Sequence, residues 1–143
     1  MTDNKLVITY TYGEPIVKIW GTQSVVTATN AGNYLISSGS SVTVTWKKYT
    51  TLSGITGKLK NSTINGGSAN TTALSRDCNT TSADVALVLN YVTLSKCPAC
   101  GAAGEVEAST SINRYMIEAN GSRTIAECMI CGYNTDQGSF TET

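Results

Sequence analysis

Four cysteines stand in two pairs, Cys97-Pro98-Ala99-Cys100-Gly101 and Cys128-Met129-Ile130-Cys131-Gly132, with 27 residues from Gly101 to Glu127 between them. A tetrahedral Zn²⁺ takes four soft ligands, and two Cys-x-x-Cys turns supply four thiolates on backbone already bent for the purpose. Any fold of this chain must bring both turns to one point, and a β-hairpin is the shortest way back. The glycine after each second cysteine suits a tight knuckle whose amide N–H groups point at sulfur and where a side chain would obstruct. Cys97, Cys100, Cys128 and Cys131 are therefore the candidate ligands of a Zn²⁺. A bound iron, or two redox or disulfide pairs, are the other readings of the same spacing.

The intervening segment supports a hairpin. Arg114–Ala119 and Ser122–Glu127 flank Asn120-Gly121, a strong two-residue turn signal. A further strand is expected at 104–109. Over Lys96–Tyr133 the paired knuckles resemble the zinc-ribbon and rubredoxin-like families, in which two knuckles at strand ends clamp one metal. The zinc-ribbon resemblance implies a structural Zn²⁺, which contributes on the order of 10 kcal/mol to folding a segment with little core of its own. The rubredoxin-like resemblance implies iron and one-electron transfer. Two features depart from it: the proline-bearing knuckle comes first and Cys131-Gly132-Tyr133 second, and the segment lacks an aromatic cluster and dense acidic charge.

Composition argues against catalysis. The chain has no histidine, which excludes a Ser/His/Asp hydrolase and a His-ligated catalytic zinc. Cys78, the fifth cysteine, therefore lacks the usual base and reads as a buried or idle thiol, with an intermolecular disulfide as the alternative. Charged residues make up 14% of the chain, against about 25% in an average domain. Before the first knuckle the carboxylates are Asp3, Glu14, Asp77 and Asp84, in no catalytic motif. Gly66-Gly67 belongs to no phosphate-binding fingerprint. The chain is expected not to be an enzyme.

Thr and Ser account for 37 of 143 residues, and their alternation with Val and Ile suits a half-exposed sheet. Strands are expected at Leu6–Tyr12, Ile16–Trp20, Ser24–Thr29, Asn33–Ser37, Ser41–Tyr49 and Val85–Leu94. Val42, Val44 and Trp46 should share one face. The fold class is all-β: a β-sandwich or small barrel body over residues 1–95, a zinc-ribbon hairpin over 96–133 and a polar tail over 134–143. Residues 52–82, rich in Gly, Ser, Thr and Asn, read as a long loop or a subunit-bridging arm. No basic-then-apolar leader opens the sequence and no apolar run approaches the about 20 residues of a membrane helix, so a soluble chain in a reducing compartment is expected.

Four Asn-x-Ser/Thr triplets begin at Asn61, Asn70, Asn79 and Asn120, about the number chance gives in a chain so rich in Ser and Thr. From Lys96 onward three basic residues face six acidic ones, while residues 1–95 carry seven basic and four acidic. That distribution disfavours nucleic acid as a partner and suggests head-to-tail contact between copies. Low charge, abundant Thr, Ser, Asn and Gly, and many strands resemble virion structural proteins, the decoration and tail subunits of phages and viruses. The resemblance implies a structural subunit that contacts copies of itself or a capsid or tail protein, assembled in a host cytoplasm into a virion. A zinc-ribbon adaptor for nucleic acid or a replication or transcription partner is the second reading, and an electron carrier the third.

Overall fold

The computed structural model describes residues 3–52, 54–101, 117–120 and 124–142, and these form strands and turns with no helix. The fold is all-β, as the alternating pattern predicts. The chain divides into two compact units, one of residues 1–46 and 60–90 and the other of residues 47–59 and 91–143. The division cuts through two long strands, so a sequence-continuous body of residues 1–95 is not the grouping observed.

The first unit starts with β1 (Asn4–Thr9), β2 (Ile16–Ile19), β3 (Asn33–Ile36) and β4 (Val42–Thr45). β1 pairs antiparallel with β3, placing Leu6 opposite Tyr34. On its other side it pairs parallel with the strand that begins at Val85, in the register Leu6↔Val85 and Ile8↔Leu87. β1 is thus an interior strand. Its alternation puts Leu6 and Ile8 into a core with Tyr34, Ile36, Val85, Leu87 and Leu89. Backbone and side-chain bonds pin its start: Asp84 Oδ1 accepts the Lys5 N–H at 2.7 Å, and Asn4 Nδ2 donates to the Thr80 carbonyl at 2.6 Å. A second sheet has β4 at its centre, with β2 on one side and, on the other, the segment Ser75–Cys78. Val42, Val44 and Trp46 are all buried on one face, as their period of two requires.

The second unit holds β5 (Tyr49–Leu52), paired antiparallel with the start of β6 (Ile55–Ile64). After β7 (Ser75–Cys78) in the first unit, β8 (Val85–Lys96) returns the chain to the second. Two short strands follow, β9 (Ile117–Ala119) and β10 (Ala126–Cys128), then β11 (Thr141–Glu142), which pairs with the end of β8. Their core consists of Tyr49, Leu94, Ile117, Ala126 and Phe140 together with Cys97 and Cys128. Tyr133 meets Phe140 edge to face, with ring centroids 5.7 Å apart.

Three sequence expectations change. Residues 52–82 are not one long loop: they contain β6 and β7, whose buried positions at Leu59, Ser62 and Cys78 are spaced by polar residues that hide the pattern. Ser24–Thr29 is a return segment touching β2 at a single bridge, Lys18↔Val25. The polar tail is anchored by Phe140, buried among the second unit's apolar side chains. The expected strand at 104–109 lies outside the described residues. The division also removes the charge asymmetry read along the chain. The first unit carries Lys5, Lys18, Lys60 and Arg76 against Asp3, Glu14, Asp77 and Asp84, and the second carries six of each sign.

Threonine hydroxyls fasten β9. Thr56, fully buried, donates from Oγ1 to the Ile117 carbonyl at 2.6 Å. Its one hydroxyl proton being used there, it accepts from Thr51 Oγ1 at 2.7 Å, and Thr51 in turn accepts the Ala119 N–H at 2.8 Å. Thr56→Val keeps the shape and strands a buried carbonyl, so urea unfolding of the second unit should show a loss of about 1–3 kcal/mol. Phe140→Ala should cost about 3–5 kcal/mol in the same measurement. Unchanged midpoints would remove both residues from the account of this core.

Candidate metal centre

β8 ends at Lys96 and hands the chain straight to Cys97; β10 ends at Cys128 itself. Each strand therefore delivers one buried cysteine, and the turn that follows places the second of the pair, Cys100 or Cys131, at the surface. The two turns are closed alike. Gly101 N–H donates to the Cys97 carbonyl and Gly132 N–H to the Cys128 carbonyl, both at 2.9 Å. Backbone N–H groups of Ala99 and Cys100 point at the Cys97 sulfur, those of Ile130 and Cys131 at the Cys128 sulfur, and that of Tyr133 at the Cys131 sulfur. Gly101 and Gly132 adopt φ of +75° and +79°. A Cβ on Gly132 would meet nothing within 4 Å and one on Gly101 only the Lys96 side chain at 3.9 Å. The glycines are there for a left-handed backbone, not for lack of room.

The four sulfurs all lie within 4.8 Å of one another. Cys97 and Cys131 are 3.7 Å apart, as are Cys100 and Cys128. A tetrahedron with Zn–S bonds of about 2.3 Å has sulfurs about 3.8 Å apart, so both cross-knuckle edges fit. A disulfide needs about 2.05 Å, and none of the five cysteines is in one. The donor set is four thiols with no nitrogen or oxygen ligand, a set that suits Zn²⁺ or Fe. Among the described residues this is the one group of three or more potential ligands close enough to share an ion.

Proton affinities follow from the crowding. Burial raises the Cys97 thiol, but N–H donors from Cys100 and Ala99 and the neighbouring thiols outweigh it and bring it down to about 7. Cys128 is pushed up by burial. At Cys131 the Tyr133 N–H lowers the value, yet desolvation and three adjacent sulfurs win and raise it to about 12. One thiolate forms easily here and four do not, unless a cation neutralises them.

The hairpin register differs from the expected two-residue Asn120-Gly121 turn. Ala119 pairs with Ala126 and Ile117 with Cys128, and Asn120 N–H donates to the Ile125 carbonyl at 3.1 Å. Local turn preference is overridden because β9 is already held by Thr51 and Thr56, and this register seats Cys128 beside Ile117 in the core. Those two threonines carried no sequence signal, since 22 threonines look alike before folding.

Cys78 belongs to the first unit, at the end of β7 opposite Val42, with no exposed surface. Desolvation lifts its thiol to about 11, so at neutral pH it is an apolar filler rather than a nucleophile.

The site and fold define a β-rich chain with a zinc-ribbon-like pair of knuckles around a potential metal site. No protein-family model, curated protein or solved structure matches the chain.

Cys97→Ser or Cys131→Ser should lower metal content well below one ion per chain and expose the second unit to protease, whereas Cys78→Ser should leave metal content unchanged. Full stoichiometry in either knuckle variant would refute the four-thiolate assignment. Protons compete with the metal for thiolate, so affinity falls as pH falls. Release to a chromophoric chelator should quicken progressively as pH falls, since Cys131 already competes for its proton above neutrality, and more steeply below about pH 7, where Cys97 also takes a proton. A flat pH profile would contradict this ligand set.

Proposed function

We propose that this chain is a non-catalytic structural subunit of a larger assembly, of the capsid-decoration or tail kind, in which a Zn²⁺ held by Cys97, Cys100, Cys128 and Cys131 staples the second unit. The observation that carries the metal half of the proposal is the closed donor set. Four sulfurs within 4.8 Å of one another would fill all four positions around a tetrahedral Zn²⁺ and leave none for a substrate or an activated water, which is the mark of a structural rather than a catalytic zinc. Cys97 and Cys100, after β8, and Cys128 and Cys131, at and after the end of β10, would hold the ion, which would supply attachment between the two strand ends and neutralise half the charge of four thiolates. The chain's own residues do the rest, since N–H donors from both knuckles hold the sulfurs and Thr51 and Thr56 hold β9.

The assembly half rests on surface chemistry. The tip of the second knuckle exposes Met129 and Ile130, 49% and 45% accessible, between the candidate ligands Cys128 and Cys131. Leu35 and Val25 are likewise exposed on the first unit. Apolar side chains held out to solvent on a weakly charged surface favour contact with other protein. With an equal number of acids and bases in each unit, and two further negative charges from a Zn²⁺–thiolate centre, neither unit favours a phosphate backbone.

Native mass spectrometry of the purified chain tests both halves at once. The expected spectrum shows one zinc per chain and discrete oligomers whose population grows with concentration. A strict monomer that retains zinc and binds nucleic acid with a steep salt dependence would replace this proposal with the adaptor reading. A monomer carrying iron would replace it with the electron-carrier reading.

A further inference from the structure

Trp20 is half exposed, at 51%, yet its ring is fixed. Its indole Nε1–H donates to Thr43 Oγ1 at 2.9 Å, and that hydroxyl donates onward to Asp77 Oδ1 at 2.8 Å. Its backbone N–H is bonded to the Ser41 carbonyl at 3.0 Å. A solvent-facing tryptophan held by a three-residue relay pays little entropy on binding. Beside it opens a groove of about 380 Å³ in the first unit, lined by Trp20, Gly39, Ser41, Asp77, Asn79 and Thr81 among others.

The polar groups of that groove are arranged as a donor next to an acceptor. Asn79 Oδ1 accepts from the Thr81 N–H at 3.2 Å, the Thr81 hydroxyl at 2.6 Å and the Ser41 hydroxyl at 3.4 Å. Its oxygen is therefore saturated, and its Nδ2 makes no hydrogen bond among the described residues. Asp77 uses Oδ1 for Thr43 and forms no ion pair among the described residues, leaving Oδ2 as an acceptor. The backbone beneath is locked, with Gly39 N–H on the Thr81 carbonyl at 3.0 Å and Thr80 Oγ1 on the Ser40 carbonyl at 2.7 Å.

We propose that this groove is a carbohydrate-binding site for a neutral oligosaccharide, with Trp20 as the stacking platform and Asp77 and Asn79 as the hydroxyl-reading pair. One face of a pyranose ring is a patch of C–H bonds, apolar and slightly positive, which matches the negative face of an indole. Its rim carries vicinal hydroxyls, each both donor and acceptor. One hydroxyl donates to Asp77 Oδ2 while its neighbour accepts from Asn79 Nδ2. Among the described residues lining the groove there is no lysine or arginine, which disfavours an anionic ligand, and no aliphatic side chain, which disfavours an apolar one. The site lies wholly in the first unit, whereas the candidate metal ligands belong to the second.

The test uses the full chain with maltotetraose, cellotetraose and chitotetraose as probes, each to about 10 mM, enough to register a Kd of about 1 mM. Calorimetry measures affinity, and acrylamide quenching reads the exposure of Trp20 against the buried Trp46. At least one probe should bind and shield Trp20. Trp20→Ala and Asp77→Asn should each weaken it about tenfold or more, and Trp20→Phe should keep part of the affinity. Far-UV circular dichroism and thermal unfolding identify any variant that fails to fold, in which case Trp20→Phe and Asp77→Asn decide. Binding by none of the probes, or undiminished binding by Trp20→Ala, would overturn the proposal. So would shielding by tetralysine alone, which marks a cation site, or shielding that rises with protein concentration alone, which marks a contact between copies.

Discussion

Four sulfur atoms within 4.8 Å of one another are the constraint on which the second unit depends. Two of them, on Cys97 and Cys128, are also core side chains, packed with Tyr49, Leu94, Ile117 and Phe140. The core of that unit and its ligand set are thus partly the same residues. Without a cation, successive thiolates repel one another and the outermost thiol, Cys131, holds its proton far above neutrality. With a divalent cation the same crowding would become attraction, and strands too short to stand alone would gain a joint worth on the order of 10 kcal/mol. β9 and β10 are three residues each, and β11 is two.

Threonine does more in this chain than fill exposed strand positions. The Thr51–Thr56 relay ties β9 to the β5–β6 hairpin, and Thr43 ties Trp20 to Asp77 in the other unit. Each uses a hydroxyl that donates once and accepts once, so a short polar side chain sets the position of a backbone carbonyl or an aromatic ring. The ion pair between Lys58 and Glu142, at 2.7 Å, is partly exposed and contributes little by comparison.

How much of this was legible in the sequence depended on whether the signal was local. The knuckles are a spacing rule, and the four clustered cysteines follow from it directly. The Val42-Val44-Trp46 face is a period of two and is equally local. The hairpin register was not legible, because Asn120-Gly121 advertises a tight turn while the deciding contacts are to Thr51 and Thr56, more than 60 residues away. β6 and β7 were obscured because their buried positions include Thr56, Ser62 and Cys78, which no hydrophobicity pattern marks as interior. The role of Phe140 was hidden by its polar neighbours. The division into two units was invisible for a simpler reason: it falls inside β6 and β8, with no linker to announce it.

The account stands or falls on the ion and its ligands. X-ray absorption at the metal edge of the purified chain measures both directly. The result expected is a zinc edge with a single shell of four sulfurs at about 2.3 Å and no nitrogen or oxygen in that shell. A mixed shell, or sulfur–sulfur pairs at about 2.05 Å in a metal-free protein, would contradict it.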